Sequence, residues 1–141
     1  MSNKLIQPLL NSPFNNTPFH NNGPFNRYLL AGKGLHEEFG HHIALHKFSE
    51  VDTAERDYCK PHIHNTNELN IILSDEPFTI RVTLEDHEYL ITEPTSILIP
   101  AGVSHSANII EGTGYYFAIL GEEQYDKTFD CQTDPEIVEP A

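Results

Sequence analysis

The 141-residue chain reads as one all-β domain, a sandwich or barrel, on three observations. Short apolar segments recur with Gly, Pro, Asp and Glu clusters between them, the punctuation of antiparallel strands and turns. One segment alternates strictly: Phe78, Ile80, Val82 and Leu84 fall on one face, Thr79, Arg81 and Thr83 on the other. No window carries a 3.6-residue apolar stripe of helical length.

Residues 1–24 form an opening arm. Pro8, Pro13, Pro18 and Pro24 recur through it, with Phe14 and Phe19 between them. Prolines at this spacing exclude a helix and favour extended or polyproline geometry. The apolar residues between them describe an arm packed on something, a neighbouring subunit being one candidate, or a disordered tail. The β domain spans residues 25–121. Strands are expected at Phe25–Leu30, before the Gly32-Lys33-Gly34 turn, and at His41–Phe48, where Ile43 and Leu45 alternate. Further strands are expected at Glu68–Leu73, Phe78–Leu84, His87–Ile91, Ser96–Ile99, His105–Ile110 and Tyr115–Leu120. The last two are divided by Gly112-Thr113-Gly114, read as a turn. Residues 122–141 hold seven of the 21 carboxylates against Lys127 alone, an acidic solvated tail with a short helical or extended piece around Tyr125–Phe129.

Eight Lys plus Arg against 21 Asp plus Glu give a net charge of −13. Phosphate backbones and anionic membrane surfaces are gripped by cations, so neither nucleic acid nor a membrane is an expected partner. No apolar run approaches the roughly eighteen residues of a membrane span. No cationic leader precedes Leu5-Ile6, and Cys59 and Cys131 have no paired spacing, so a reduced, cytoplasmic protein is expected.

Nine histidines in so acidic a chain are the unusual feature. His62 and His64 stand two apart, so on an extended backbone both imidazoles leave the same face. Glu68 shares their parity and returns to that face past the polar Asn65-Thr66-Asn67 bend. Two imidazoles and a carboxylate form a ligand set for a divalent transition metal. A second segment, Ser96–Ile99, runs into Pro100-Ala101-Gly102, where Pro100 fixes φ and Gly102 permits a sharp reversal. His105 follows, and such a hairpin carries a third imidazole back toward the first ligands.

These two segments resemble the motifs of the cupin superfamily, in outline G-x5-H-x-H-x3–4-E-x6-G and G-x5-P-x-G-x2-H-x3-N. His62, His64 and Glu68 match the first; Pro100, Gly102 and His105 match the second. The glycines of the first motif fall on Arg56 and Asp75, and the opening glycine of the second on Pro94. The closing asparagine falls on Ile109, with Asn108 one place early. The resemblance covers roughly residues 40–120. It implies a cupin-type jelly-roll β-barrel with the site inside, and His62, His64, Glu68 and His105 as ligands to one divalent transition metal per chain. Three imidazoles and a carboxylate suit Fe, Mn, Ni, Cu or Zn and leave positions for water or substrate.

The function expected is that of a metal-dependent cupin enzyme acting on a small oxygen-bearing molecule, with dioxygenase-type chemistry one form of it. The alternatives are a redox-neutral isomerase or lyase and a non-catalytic small-molecule or sugar-binding cupin. A homodimer is expected from the resemblance and from the apolar arm. Three residues are candidates for substrate binding, each with a plainer reading beside it. Asn70 orients a substrate oxygen or bonds a neighbouring strand; Arg81 pairs a substrate carboxylate or forms a surface ion pair. Tyr116 places a phenol in the pocket or packs in the core. His42 and His46 share strand parity and could face the interior, though exposure or an ordinary core hydrogen bond is the commoner outcome. Cys59 lies near the ligands, with a parity that sets it off their face. His36-Glu37-Glu38-Phe39-Gly40 is no metalloprotease motif, since its fifth position is Gly.

Overall fold

The structure, a computed structural model, describes residues 4–13, 23–52, 58–121 and the backbone of 128–130. Phe14 and Phe19 of the arm, Arg56, Cys131 and most of the acidic tail lie outside the described residues. The described chain forms ten antiparallel strands and one short 3-10 turn at Glu37–Phe39. In order they are β1 (Leu10–Asn11), β2 (Asn26–Ala31), β3 (His41–Val51), β4 (His62–His64) and β5 (Glu68–Leu73). Next come β6 (Phe78–Leu84), β7 (His87–Ile91), β8 (Thr95–Ile99), β9 (His105–Gly121) and β10 (Thr128–Asp130).

The sequence reading divides β9 in two, and the structure corrects it. Residues 105–121 are one strand of 17 residues, and Gly112-Thr113-Gly114 is a corner within it. The first half of β9 runs between β6 and β4, where Leu84 and His62 both register with His105. Its second half runs between β3 and β5, pairing Tyr116 with His46 and Ile72. One strand therefore belongs to both layers, β7-β6-β9-β4-β10 and β1-β2-β3-β9-β5-β8, a jelly-roll arrangement. The corner needs glycine: Gly112 has φ 100, and a Cβ there would run into the Pro77 carbonyl and the Phe78 backbone. A glycine pair reads as a reversal because a bend within a strand and a turn between strands use the same residue.

Alternation then fills the space between the layers. Phe48, Ile72, Phe78, Ile80, Val82, Ile97, Ile99 and Ile109 are buried in one cluster, each on the inward phase of its strand. The terminal segments close the edges. β1 adds to β2 through Leu10–Leu29 and Asn11–Tyr28, so the arm is extended there, as its prolines require. β10 adds to β4, with Thr128 opposite His64 and Asp130 opposite His62. Both edges carry a strand of the candidate site, and both are covered rather than left open.

Substituting Gly112→Ala combines an unfavourable positive φ with a backbone collision. It should lower unfolding free energy by about 2–4 kcal/mol, read by urea denaturation.

Candidate metal centre

Local pairing brings the two motif segments together. His62 and His105 are direct cross-strand partners on β4 and β9. The Pro100-Ala101-Gly102 turn, closed by Val103 N donating to Pro100 O at 3.1 Å, is tied to the first segment twice. Gly102 N donates to His64 O at 2.9 Å, and Ala101 N donates to Asn67 Oδ1 at 3.0 Å. Gly102 takes φ 84 to do so, the conformation that only glycine adopts cheaply. Glu68 opens β5 and points into the same space, buried with all three histidines.

The hydrogen bonds settle which ring nitrogens face the centre. His62 Nδ1 donates to Lys60 O at 2.6 Å, and His105 Nδ1 donates to Val103 O at 3.0 Å. A carbonyl only accepts, so in the neutral rings each Nε2 carries a lone pair. One ring nitrogen from each of His62, His64 and His105 falls in a cluster within 4.8 Å. Glu68 Oε1 lies 3.1 Å from His105 Nε2 and 3.4 Å from His64 Nε2. Oε1 and His105 Nε2 are buried and have no hydrogen-bond partner among the described residues. Imidazole nitrogens and a carboxylate oxygen that converge in a dry space are stable only around a shared cation, a proton between His105 and Glu68 or a metal among all of them. The three imidazoles therefore fit a divalent metal, with Glu68 Oε1 beside them.

The charge states agree. Burial depresses His64 to about 3, more than Glu68 raises it. Burial pushes Glu68 up, but His105, His64 and Asn70 outweigh it and hold the carboxyl far below its usual range. His105 is lowered by burial and raised further by Glu68, with a net rise. Glu68 is thus a carboxylate and His64 a neutral imidazole, the ionisation states that metal ligation uses, while His105, held toward its protonated form by Glu68, gives up that proton when a metal binds.

Of the sequence candidates, Asn70 and Tyr116 join this site and Arg81 stands away from it. Tyr116 OH donates to Asn70 Oδ1 at 2.6 Å, and Asn70 Nδ2 donates to Glu68 Oε2 at 2.7 Å. This buried relay fixes one carboxylate oxygen and leaves Oε1 for the histidines. Burial raises the Tyr116 phenol well above its usual range, so it remains a donor. Arg81 lies on the opposite phase of β6 from the buried Ile80 and Val82, registered with Leu90 and Asn108, and is not among the cavity-lining residues.

A cavity of about 50 Å3 opens beside the ligands. Its wall includes Arg27, His42, His46, Tyr58 and Cys59. Cys59 corrects the parity reading. The Lys60-Pro61 segment lies outside β4, so alternation does not carry across it. Instead Asn108 clamps the Cys59 peptide, accepting from its N–H and donating to its carbonyl, both at 3.0 Å. Burial pushes the Cys59 thiol up to about 12, so it is an uncharged wall group. His42 and His46 both face inward. His46 makes the ordinary core bond, Nδ1 to Tyr116 O at 2.9 Å, between the Phe25 and Tyr116 rings. Sequence reasoning missed Arg27 entirely, although its phase with Leu29 and Ala31 is the available signal.

His46 makes the fold acid-sensitive. Burial, with Arg27 nearby, lowers it from 6.5 to about 3, and His42 likewise to about 4. The unfolded chain takes up these protons first, so stability is whole above about pH 6.5 and is lost as pH falls toward 3. For His46 alone the loss is on the order of 4 kcal/mol. Urea midpoints between pH 7 and 4 should fall steeply, and more shallowly in His46→Gln.

Comparison with known proteins gives likeness in structure. No family model and no curated protein matches the sequence. A cupin-2 domain protein of Rhodospirillum rubrum superposes with a TM-score of 0.55 at 14% identity, over 92% of this chain and 78% of its own. The iron(II) form of HppE gives 0.53 at 17% identity, over 80% of this chain and 55% of its own. An RmlC-like cupin from Shewanella frigidimarina gives 0.50 at 16%, over 78% and 87% respectively. At such identities the likeness is one of fold, and the fold of this chain is that of the cupins.

Proposed function

We propose that the chain is a metal-dependent enzyme of cupin type acting on a small oxygen-bearing molecule. One observation carries this reading: the buried Oε1 of Glu68 set 3.1 Å from Nε2 of His105, among three converging imidazoles. His62, His64, His105 and Glu68 hold one divalent transition ion, which supplies Lewis acidity toward a carboxylate, carbonyl or hydroxyl and, as iron(II), a place for dioxygen. The Lys60 and Val103 carbonyls hold two imidazoles in the ligating tautomer. The Tyr116–Asn70 relay keeps Glu68 ionised and aimed. Iron, and with it dioxygenase-type chemistry, is the first choice, supported by the shared fold with the iron(II) form of HppE.

Protein purified without an affinity tag should carry close to one equivalent of metal per chain. His62→Ala and His105→Ala should each lose it, and metal retained in both would sink the assignment. Iron-loaded protein should consume oxygen when offered its substrate among small carboxylates and hydroxy-carbonyl compounds. Turnover without oxygen uptake would move the reading to an isomerase or lyase.

We propose further that the chain works as a homodimer through the outer face of the larger layer. Leu69, Ile71, Leu73, Leu98, Phe117 and Ile119 occupy outward positions on three adjacent strands, with Leu98 63% exposed. No carboxylate stands among the outward positions of β5, β8 and the half of β9 that pairs with β5, in a chain of charge −13. A second copy is repelled least across this face, and apolar area is what it would cover. Light scattering should give twice 16.0 kDa, and Leu98→Glu should return the mass to 16.0 kDa. A monomeric wild type would overturn the assembly without touching the metal site.

A further inference from the structure

Two alanines make the room in the cavity. Ala44 of β3 and Ala118 of β9 are direct cross-strand partners in the larger layer. Both are buried and both line the cavity. Side chains two apart on a strand share a face, so the inward neighbours of the pair follow from the register. On one side His46 stands opposite Tyr116, and on the other His42 stands opposite Leu120. Leu29 of β2 flanks Ala44, and Asn70 of β5 flanks Ala118. Each of these neighbours is larger than alanine, so the pair forms a depression in the layer. The three imidazoles stand on β4 and at the start of β9, in the smaller layer, and line the same cavity. The depression and the imidazoles therefore bound one space from the two layers.

The polar groups around the depression are engaged within the fold. Tyr116 OH donates to Asn70 Oδ1, Asn70 Nδ2 to Glu68 Oε2, and His46 Nδ1 to Tyr116 O. Arg27, also in the wall, is turned to Ser12 and His42. At the pair itself the wall is two methyl groups beside the side chain of Leu120. An apolar group is favoured there, whereas a polar one gains a partner only by breaking one of these bonds. Volume sets the length of what fits. About 50 Å3 admits roughly three to five water-sized groups.

Building on the proposed metal centre, we propose that Ala44 and Ala118 set the size and polarity of the substrate, a short-chain aliphatic molecule oxygenated at one end. Its oxygen faces the histidine cluster, and its chain, roughly two or three carbons long, lies on the two methyls. Neither alanine touches the reaction; together they decide which molecules reach it. Ala118→Leu adds a volume close to that of the chain it would displace, and it leaves every metal ligand in place.

The test uses zinc-loaded protein, 13C-labelled at its alanine methyls, and a homologous series of aliphatic hydroxamates, which chelate through two oxygens at one end. Affinity should be highest for acetohydroxamate or propionohydroxamate and at least tenfold lower for octanohydroxamate. Ala118→Leu should weaken propionohydroxamate at least tenfold with zinc content unchanged, and formohydroxamate least. In wild type the Ala44 and Ala118 methyl resonances should both move with propionohydroxamate. Xenon needs no metal, and it should move the same two methyls in loaded and stripped protein alike. These wild-type shifts stand whether or not the variant folds. Affinity indifferent to chain length, equal affinity in Ala118→Leu, or methyls unmoved by xenon or by zinc-bound propionohydroxamate would each overturn the size-setting pair. A wild type that holds no zinc and binds no hydroxamate, with xenon still moving both methyls, would retain the pair and remove the metal centre.

Discussion

The contact between Glu68 Oε1 and His105 Nε2 organises the molecule. A carboxylate oxygen and an imidazole nitrogen 3.1 Å apart in a dry interior need a cation between them, a proton or a metal, and a jelly roll has no intrinsic reason to contain them. Everything around them holds them in place. Val103 O fixes the tautomer of His105, Asn70 and Tyr116 fix the far oxygen of Glu68, and β4 sets His62 directly across from His105. A soft site would relax, turning Glu68 outward or protonating it. This one is buttressed on several sides, and that rigidity makes a cation the natural resolution.

β9 is how the fold achieves it. One strand carries His105 at its start, turns its corner at Gly112, and then presents Tyr116, Ala118 and Leu120 inward. His105 in one layer and the phenol that, through Asn70, holds Glu68 in the second layer are thereby covalently continuous. Their separation is set by strand rise and by one bend, not by how two loops settle. The terminal segments follow the same logic. β1 pairs with the strand of Arg27 and β10 with the strand of His62 and His64, so each edge strand is also a brace for site residues.

The sequence was most legible where chemistry and periodicity were local. Phe78–Leu84, Glu68–Leu73 and His87–Ile91 form as expected, and the two histidine segments meet because Gly102 and Asn67 link them. It was less legible where a residue's environment came from afar. Arg27 falls inside an expected strand, in phase with Leu29 and Ala31, but nothing local marks it as buried until Ser12 and His42 beside it are known. Cys59 was displaced from its parity by Lys60-Pro61. Gly112 reads alike as turn and corner, and only the Pro77 and Phe78 backbones distinguish them.

Net charge, which excludes so much at first sight, says little about the cavity. Seven of the 21 carboxylates lie beyond residue 121, and charges separated by more than about 8–10 Å of electrolyte are largely screened. Within the cavity the local groups prevail. Arg27 contributes one positive charge, Glu68 one negative, and a divalent ion would bring the sum to about +2. Low dielectric strengthens each of these relative to the exterior field. The net charge of an acidic protein therefore does not set the charge inside a buried cavity, where the nearest groups in low dielectric decide it.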